Sequence, residues 1–264
     1  MNLFQEGSCF NCGRSPIIFR RYSGQHLCLD CFKNSLEAII RKTISTHKLL
    51  NLNDKILVAY SGGISSTTLL YNINKIQKRA YHGKAIAALT IDYGINRENL
   101  RITKNFCEKY SIDHRIIAPE RINNTISKKV ENTKYELIRI MLNYMNDLDF
   151  NVLCLGFNLT DIAKDCLIHI LQEPEISSKD NKINKIKIIY PLMRIPEEEV
   201  VIYSKLHNFD TKIPPDTATE IEHIVDRFIA YCSKKSPEIE FNLFNVYLKL
   251  SRIGFFNQIM PKLL

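Results

Sequence analysis

The chain has 264 residues, 45% of them hydrophobic and 24% charged, enough for one α/β domain with a small appendage. No apolar run reaches the roughly 18 residues of a spanning helix, and no basic leader precedes an apolar stretch. A transmembrane segment and a secretory signal are therefore not expected, and a cytoplasmic location is. The net charge of +8 suits a polyanionic partner such as nucleic acid, and residues 1–50 hold seven Lys and Arg against three Asp and Glu.

The first motif is a pair of CxxC turns, Cys9-Phe-Asn-Cys12 and Cys28-Leu-Asp-Cys31, separated by 15 residues. Each turn can direct two thiolates at one ion, so Cys9, Cys12, Cys28 and Cys31 read as a closed four-sulfur site for structural zinc. A redox pair and an iron–sulfur cluster are the rival readings. Between the turns, "SPIIFRRYSGQHL" reads as a hairpin with Ser23-Gly24 at its tip. An amphipathic helix follows over Phe32 to Lys48, with Phe32, Leu36, Ile39 and Ile40 on one side. Arg20, Arg21, Lys33, Arg41 and Lys42 are candidate phosphate contacts around this helix, the alternative being an ordinary solvated face.

Next comes "KILVAY", a buried strand over Lys55 to Tyr60, then "SGGISS" and a helical pattern carrying Leu69, Leu70, Ile73 and Ile76. Glycines at a strand-to-helix turn let backbone N–H groups approach an anion, and the helix dipole favours it. Ser61, Gly62, Gly63, Ser65 and Ser66 thus have the layout of a phosphate cradle, although the loop contains no lysine and no carboxylate. Strands and helices then alternate: strands at Ala85 to Asp92, "HRIIAP", Asn151 to Gly156 and "IKIIYP", with helices over Arg97–Tyr110, Lys134–Met145, Leu159–Leu171 and Glu197–Leu206. Such alternation predicts a parallel sheet covered by helices on both faces. The glycine turn, Asp92-Tyr93 and Gly156-Phe157-Asn158 fall at the carboxyl edge of that sheet, where ligands bind. Glu173 to Lys185 is polar and reads as a loop. Two helices, Ile221 to Ser233 and Phe241 to Ile253, form a C-terminal cap. Its apolar residues Phe241, Phe244, Tyr247, Leu248, Phe255 and Phe256 suit either the core or a partner surface.

In their order, the cysteine knuckle, the linking helix, "SGGISS", "GFNLTDIA" and "YPLMRIPEEEV" resemble the tRNA 2-thiolation family of the PP-loop (N-type ATP pyrophosphatase-like) superfamily. The resemblance covers nearly the whole chain. It implies four parts: a zinc knuckle at 1–32, a linking helix at 33–49, a PP-loop α/β domain at 50–212 and a helical segment at 213–264. Active relatives carry SGGKDS in the loop, a central CxxC, GHNxDD after the fourth strand and a third cysteine further on, and they adenylate a tRNA uridine before replacing its oxygen with sulfur.

This chain departs from that pattern. Ile64 and Ser65 replace the loop lysine and aspartate; Phe157 and Thr160 replace the histidine and first aspartate, leaving Asp161. Asn132 and Tyr135 stand where the central cysteines would be. Pyrophosphate release needs cations and metal-holding carboxylates, and sulfur transfer needs thiolates or a cluster. Cys107, Cys154, Cys166 and Cys232 read as core thiols. The degenerate pattern resembles the non-catalytic subunit 2 of the cytosolic thiolation complex. That resemblance implies a heterodimer with a catalytic PP-loop homologue, a tRNA-binding role in which Arg139 joins the basic residues named above, a ubiquitin-like sulfur carrier acting through the partner, and no iron–sulfur cluster in this chain. ATP and magnesium binding is doubtful on this reading, with Ser61, Gly62, Gly63, Ser65, Ser66, Gly156 and Asp161 as remnants of a nucleotide site. The alternative is an active PP-loop enzyme that adenylates a tRNA base or another substrate with altered residues.

Overall fold

The computed structural model describes residues 7–80, 86–92, 94, 97–118, 134–146, 148–172, 186–212 and 218–252. Tyr93, Asn132, the side chain of Tyr135, residues 173–185, which the sequence reads as a loop, and Phe255-Phe256 lie outside the described residues.

A short antiparallel hairpin, β1 (Ile18–Arg20) and β2 (Gln25–Leu27), pairs Ile18 with Leu27 across a tip where Gly24 adopts φ +64°. Helix α1 (Leu29–Thr46) begins three residues earlier than the sequence pattern indicates, because Cys28 takes the extended cap conformation and Cys31 joins the first turn. Its buried stripe of Phe32, Leu36 and Ile40 recurs every four residues and faces the core.

The core sheet alternates β3 (Ile56–Ala59), α2 (Ile64–Arg79), β4 (Ala87–Ile91), α3 (Arg97–Tyr110), β5 (Asp113–Ile117), α4 (Lys134–Asn146), β6 (Val152–Cys154), α5 (Leu159–Leu171), β7 (Lys187–Ile189) and α6 (Glu197–Leu206). The strands lie in the order β5-β4-β3-β6-β7 and all pairs are parallel. Period-two alternation divides the core between two layers. Ile56 and Val58 point to the layer formed with α1, α2 and α6, beside Leu36, Leu69, Ile73 and Tyr203. Leu57 points to the opposite layer, with Ile138 and Leu142 of α4, Leu159 and Ile162 of α5, and Phe244. Two further helices, α7 (Glu220–Lys235) and α8 (Ile239–Arg252), complete the described chain. Phe244 and Tyr247 of α8 are buried in the core, and Val225 and Ile229 of α7 close on Ala163 of α5. Among the described residues no helix is long and apolar enough to cross a membrane.

One buried ion pair fastens the hairpin to the sheet layer. Arg20 donates to Glu199 through Nε at 2.9 Å and Nη2 at 2.6 Å, and through Nη1 to Ser35 Oγ at 2.9 Å. Tyr22 donates its hydroxyl to the same carboxylate at 2.6 Å. A second buried carboxylate, Glu37 of α1, accepts from Lys75 at 2.6 Å and Tyr203 at 3.0 Å. Burial opposes its charge, but these donors outweigh it and hold its carboxyl below the ordinary range. Replacing Glu199 with Ala leaves the Arg20 guanidinium buried without its countercharge, at a cost of about 3–5 kcal/mol. Urea unfolding should show a markedly lower midpoint, and an unchanged midpoint would show that the hairpin is held by other contacts.

Candidate functional site

The loop after β3 forms a closed set of hydrogen bonds. Ser61 Oγ lies 3.1 Å from Ser66 Oγ and accepts from the Gly63 N–H at 3.3 Å, while Ser66 Oγ donates to the Gly63 carbonyl at 3.1 Å. Gly62 adopts φ +78°, a conformation that favours glycine, and a Cβ there would also displace the Asn99 side chain, whose Oδ1 would lie at 2.5 Å. Gly63 caps α2 with no side-chain hydrogen bond, which leaves first-turn N–H groups directed at the sheet edge with the positive end of the helix dipole. This arrangement can bind an anion through the backbone.

The loop after β6 closes the other side. β3 and β6 are hydrogen-bonded neighbours, so their carboxyl ends meet at the point where the strand order reverses. Gly156 sits so close to α2 that a Cβ would lie 3.2 Å from the Ser66 Cα and N. Asn158 caps α5, accepting from the Asp161 N–H while Asp161 Oδ2 accepts from the Asn158 N–H, each at 3.0 Å. Its amide also donates to Ser65 Oγ at 3.3 Å, joining the two loops. The sequence places Asn158 at this edge but not its bridging role, although the spacing Asn158-Leu-Thr-Asp161 is a readable capping box.

Positions that depart from the thiolation pattern have taken on packing roles. Ile64 is partly buried against the core, and Phe157 rests 5.6 Å from the Tyr190 ring. Thr160 Oγ1 accepts from the Glu197 N–H at 3.0 Å and donates to Glu240 at 2.7 Å, linking α5 to α6 and α8. The thiols of Cys107, Cys154 and Cys166 are buried, and desolvation pushes those of Cys107 and Cys166 up to about 12 and about 11 and that of Cys154 well above its ordinary value. These thiols stay protonated and unreactive at neutral pH.

Far along the chain from the loop, Cys9, Cys12, Cys28 and Cys31 converge, with all four Sγ atoms within 4.8 Å of one another. The first turn is shaped by backbone bonds from Gly13 N to Cys9 O and from Cys9 N to Arg14 O, both 2.8 Å. Burial opposes the thiolate of Cys9, but backbone donors at Cys28, Asn11 and Cys12 bring its thiol down to about 6. Backbone and side-chain donors of Arg14 likewise favour the thiolate of Cys12. Four converging sulfurs are a donor set suited to zinc and equally to iron–sulfur centres.

The basic residues do not form one surface. Arg20 is only 6% exposed and consumed by Glu199, which corrects its assignment as an RNA contact: a guanidinium bonded on three sides inside the fold cannot face a phosphate. Lys33 donates to the Leu206 carbonyl at 2.8 Å, at the end of α6, where a cation suits the helix dipole. Arg21 donates to the Lys234 carbonyl at 3.2 Å and Arg41 pairs with Glu37 at 3.7 Å; Arg21, Arg41 and Lys42 are exposed. Arg139 is exposed and paired with Glu136, on α4, across the sheet from α1.

A family model described as the PP-loop domain matches residues 32–213. A probable sulfurtransferase of Methanocaldococcus jannaschii is 26% identical, over 91% of this chain and 77% of its own length. The cytoplasmic tRNA 2-thiolation protein 1 of Drosophila pseudoobscura pseudoobscura is 26% identical over 76% of this chain, which spans 65% of that relative's length. Among solved structures, the U34-tRNA thiolase NcsA from Methanococcus maripaludis, with its [4Fe-4S] cluster, superimposes with a TM-score of 0.80 at 22% identity, over 92% of this chain and 86% of its own. That likeness shows the fold. It also corrects one expectation: a protein of this fold is solved with an iron–sulfur cluster, so the exclusion of a cluster does not stand and the four sulfurs are not assigned to zinc alone.

The close approach at Gly156 has a measurable consequence. In Gly156→Ala the new methyl meets the Ser66 backbone at 3.2 Å, which has no side-chain torsion to yield. Denaturant unfolding should show a loss of about 1–3 kcal/mol, as for overpacking elsewhere; wild-type stability would mean that the two loops are not held in contact.

Proposed function

The chain belongs to the PP-loop family, and on that premise we propose that it is a tRNA 2-thiolation-type protein that binds nucleotide phosphate in the Ser61–Ser66 loop and adenylates a tRNA base or a related substrate with altered residues. The observation that carries this reading is the intact cradle: Ser61, Gly63 and Ser66 hold the loop open at the uncapped start of α2, and Gly156 and Asn158 close it from β6. The relatives support the chemistry, since their names are those of a sulfurtransferase and of a thiolation protein 1. Backbone donors and dipole stabilise the charge that develops on a departing pyrophosphate. Asp161 has one carboxyl oxygen held by the cap.

A second reading is favoured by a specific observation. Ile64, Phe157 and Thr160 are committed to packing, and the buried thiols are poor nucleophiles. On that reading the chain is the non-catalytic, tRNA-binding subunit of a cytoplasmic heterodimer, stabilising a catalytic homologue that receives sulfur from a ubiquitin-like carrier. Calorimetry with ATP and magnesium, followed by an assay of pyrophosphate release with tRNA, separates the two. Nucleotide binding with tRNA-dependent pyrophosphate release is expected for the enzyme. Absence of release, with thiolation appearing only when a catalytic homologue is added, would overturn it in favour of the subunit.

The four-cysteine cluster is proposed as a metal site that ties the hairpin to the start of α1, the metal supplying a structural cross-link when bound. Purified without oxygen, the chain should contain metal by elemental analysis for zinc and iron. Cys9→Ser should lose that metal and melt at a lower temperature. Unchanged melting after proven metal loss would remove the structural role.

A further inference from the structure

The cradle has a gap in its electrostatics. Its own residues offer N–H groups and hydroxyls but no cation, because Ile64 is apolar and partly buried. Phosphate oxygens bound by backbone alone lack the charge-assisted partner that makes such contacts strong. A protein cation for this loop would come from another segment at the same edge of the sheet.

Residues 207–212 are that segment. Leaving α6, the chain is fixed by aromatic contacts, with His207 stacked on Phe209 at 5.2 Å and Phe209 beside Tyr71 of α2 at 5.1 Å. It then lies directly against the cradle. The Lys212 N–H donates to the Gly62 carbonyl at 3.0 Å, and a methyl built on Gly63 would sit 3.9 Å from the Lys212 carbonyl. We propose that Lys212 supplies from this segment the phosphate-binding cation that the loop itself lacks. The proposal rests on the nucleotide-binding reading and assigns the missing charge to a named residue.

The neighbouring charges agree with this placement. Glu98, at the start of α3, is held below the ordinary carboxyl range first by Arg101 and also by the charge of Lys212, so the lysine's field reaches the end of α3 that borders Gly62. Arg101 is engaged with Glu98 through two bonds, at 3.1 and 2.5 Å. Arg194, in the turn before α6, lies over the Phe244 ring at 5.7 Å, on the opposite layer. Arg97, the first residue of α3, is exposed and has no main-chain tie to the loop. Among the described residues, Lys212 is the basic residue whose own backbone is bonded to the cradle. A lysine is a flexible point charge with three donors, and it can reach phosphate oxygens from the side as well as from the loop.

The test uses the full chain and two probes, inorganic pyrophosphate and ATP with magnesium, followed by calorimetry at two salt concentrations. The backbone bond to Gly62 does not involve the side chain, so Lys212→Gln keeps the segment seated, and circular dichroism and melting check this. If Lys212 carries the charge, Lys212→Gln should bind both probes about tenfold more weakly. Its binding should also depend less on salt, Lys212→Arg should retain most of the affinity, and Arg97→Gln should change little. Wild-type binding left intact in Lys212→Gln would overturn the assignment while leaving the nucleotide reading in place. An equal loss in Arg97→Gln would show a diffuse field rather than a specific cation and would also overturn it. A wild-type chain that binds neither probe would remove both the assignment and the reading beneath it.

Discussion

The geometry of this protein follows from the pairing of β3 with β6, two strands about a hundred residues apart in sequence that lie side by side at the centre of the sheet. From β3 the order runs outward to β4 and β5; from β6 it runs the other way to β7. The loops at their carboxyl ends therefore cannot cross over one another and instead face across a crevice. The loop site sits on this seam: the Ser61–Ser66 turn on one bank, Gly156 and Asn158 on the other, joined by the bond from the Asn158 amide to Ser65 Oγ. The absence of a Cβ at Gly156 lets the banks approach this closely, since a methyl there would lie 3.2 Å from the Ser66 backbone.

Much of this was legible in the sequence. The apolar runs identify the strands to within one or two residues, and the helices at Arg97–Tyr110, Leu159–Leu171 and Glu197–Leu206 agree with the pattern to the residue. Local periodicity suffices there because each helix turns one stripe to a sheet that is apolar on both faces. The cradle was legible because glycine spacing is a local signal.

What was not legible depended on partners distant in the chain. Arg20 reads as a surface charge beside Arg21, yet its carboxylate lies 179 positions away, and only folding shows that one arginine is a structural pin and its neighbour an exposed side chain. Arg139 joins the other basic residues only through the family resemblance, and it sits on the other side of the sheet: the strand order reverses after β5, so α2 and α3 cover one face and α4 and α5 the other. The early start of α1 escaped for a different reason: Cys28 has no classical capping side chain, and the helix opens there because the second CxxC turn already curls the backbone. The departures at Ile64, Phe157 and Thr160 are visible in sequence as losses; only the structure shows that each has gained packing or hydrogen-bonding neighbours.

Helix α6 has a place in this architecture that neither the cysteines nor the cradle reveals alone. Its first turn carries Glu199, gripped by the hairpin; its last carbonyls receive Lys33 of α1; and the residues that follow it deliver a backbone bond to Gly62. One rigid rod ten residues long therefore joins the four-sulfur cluster to the anion cradle, anchored at both ends. The hairpin between the two cysteine turns and the segment that lies against Gly62 are thus both seated on the same short helix, and an element that supplies no residue to either the cysteine cluster or the cradle fixes the position of both.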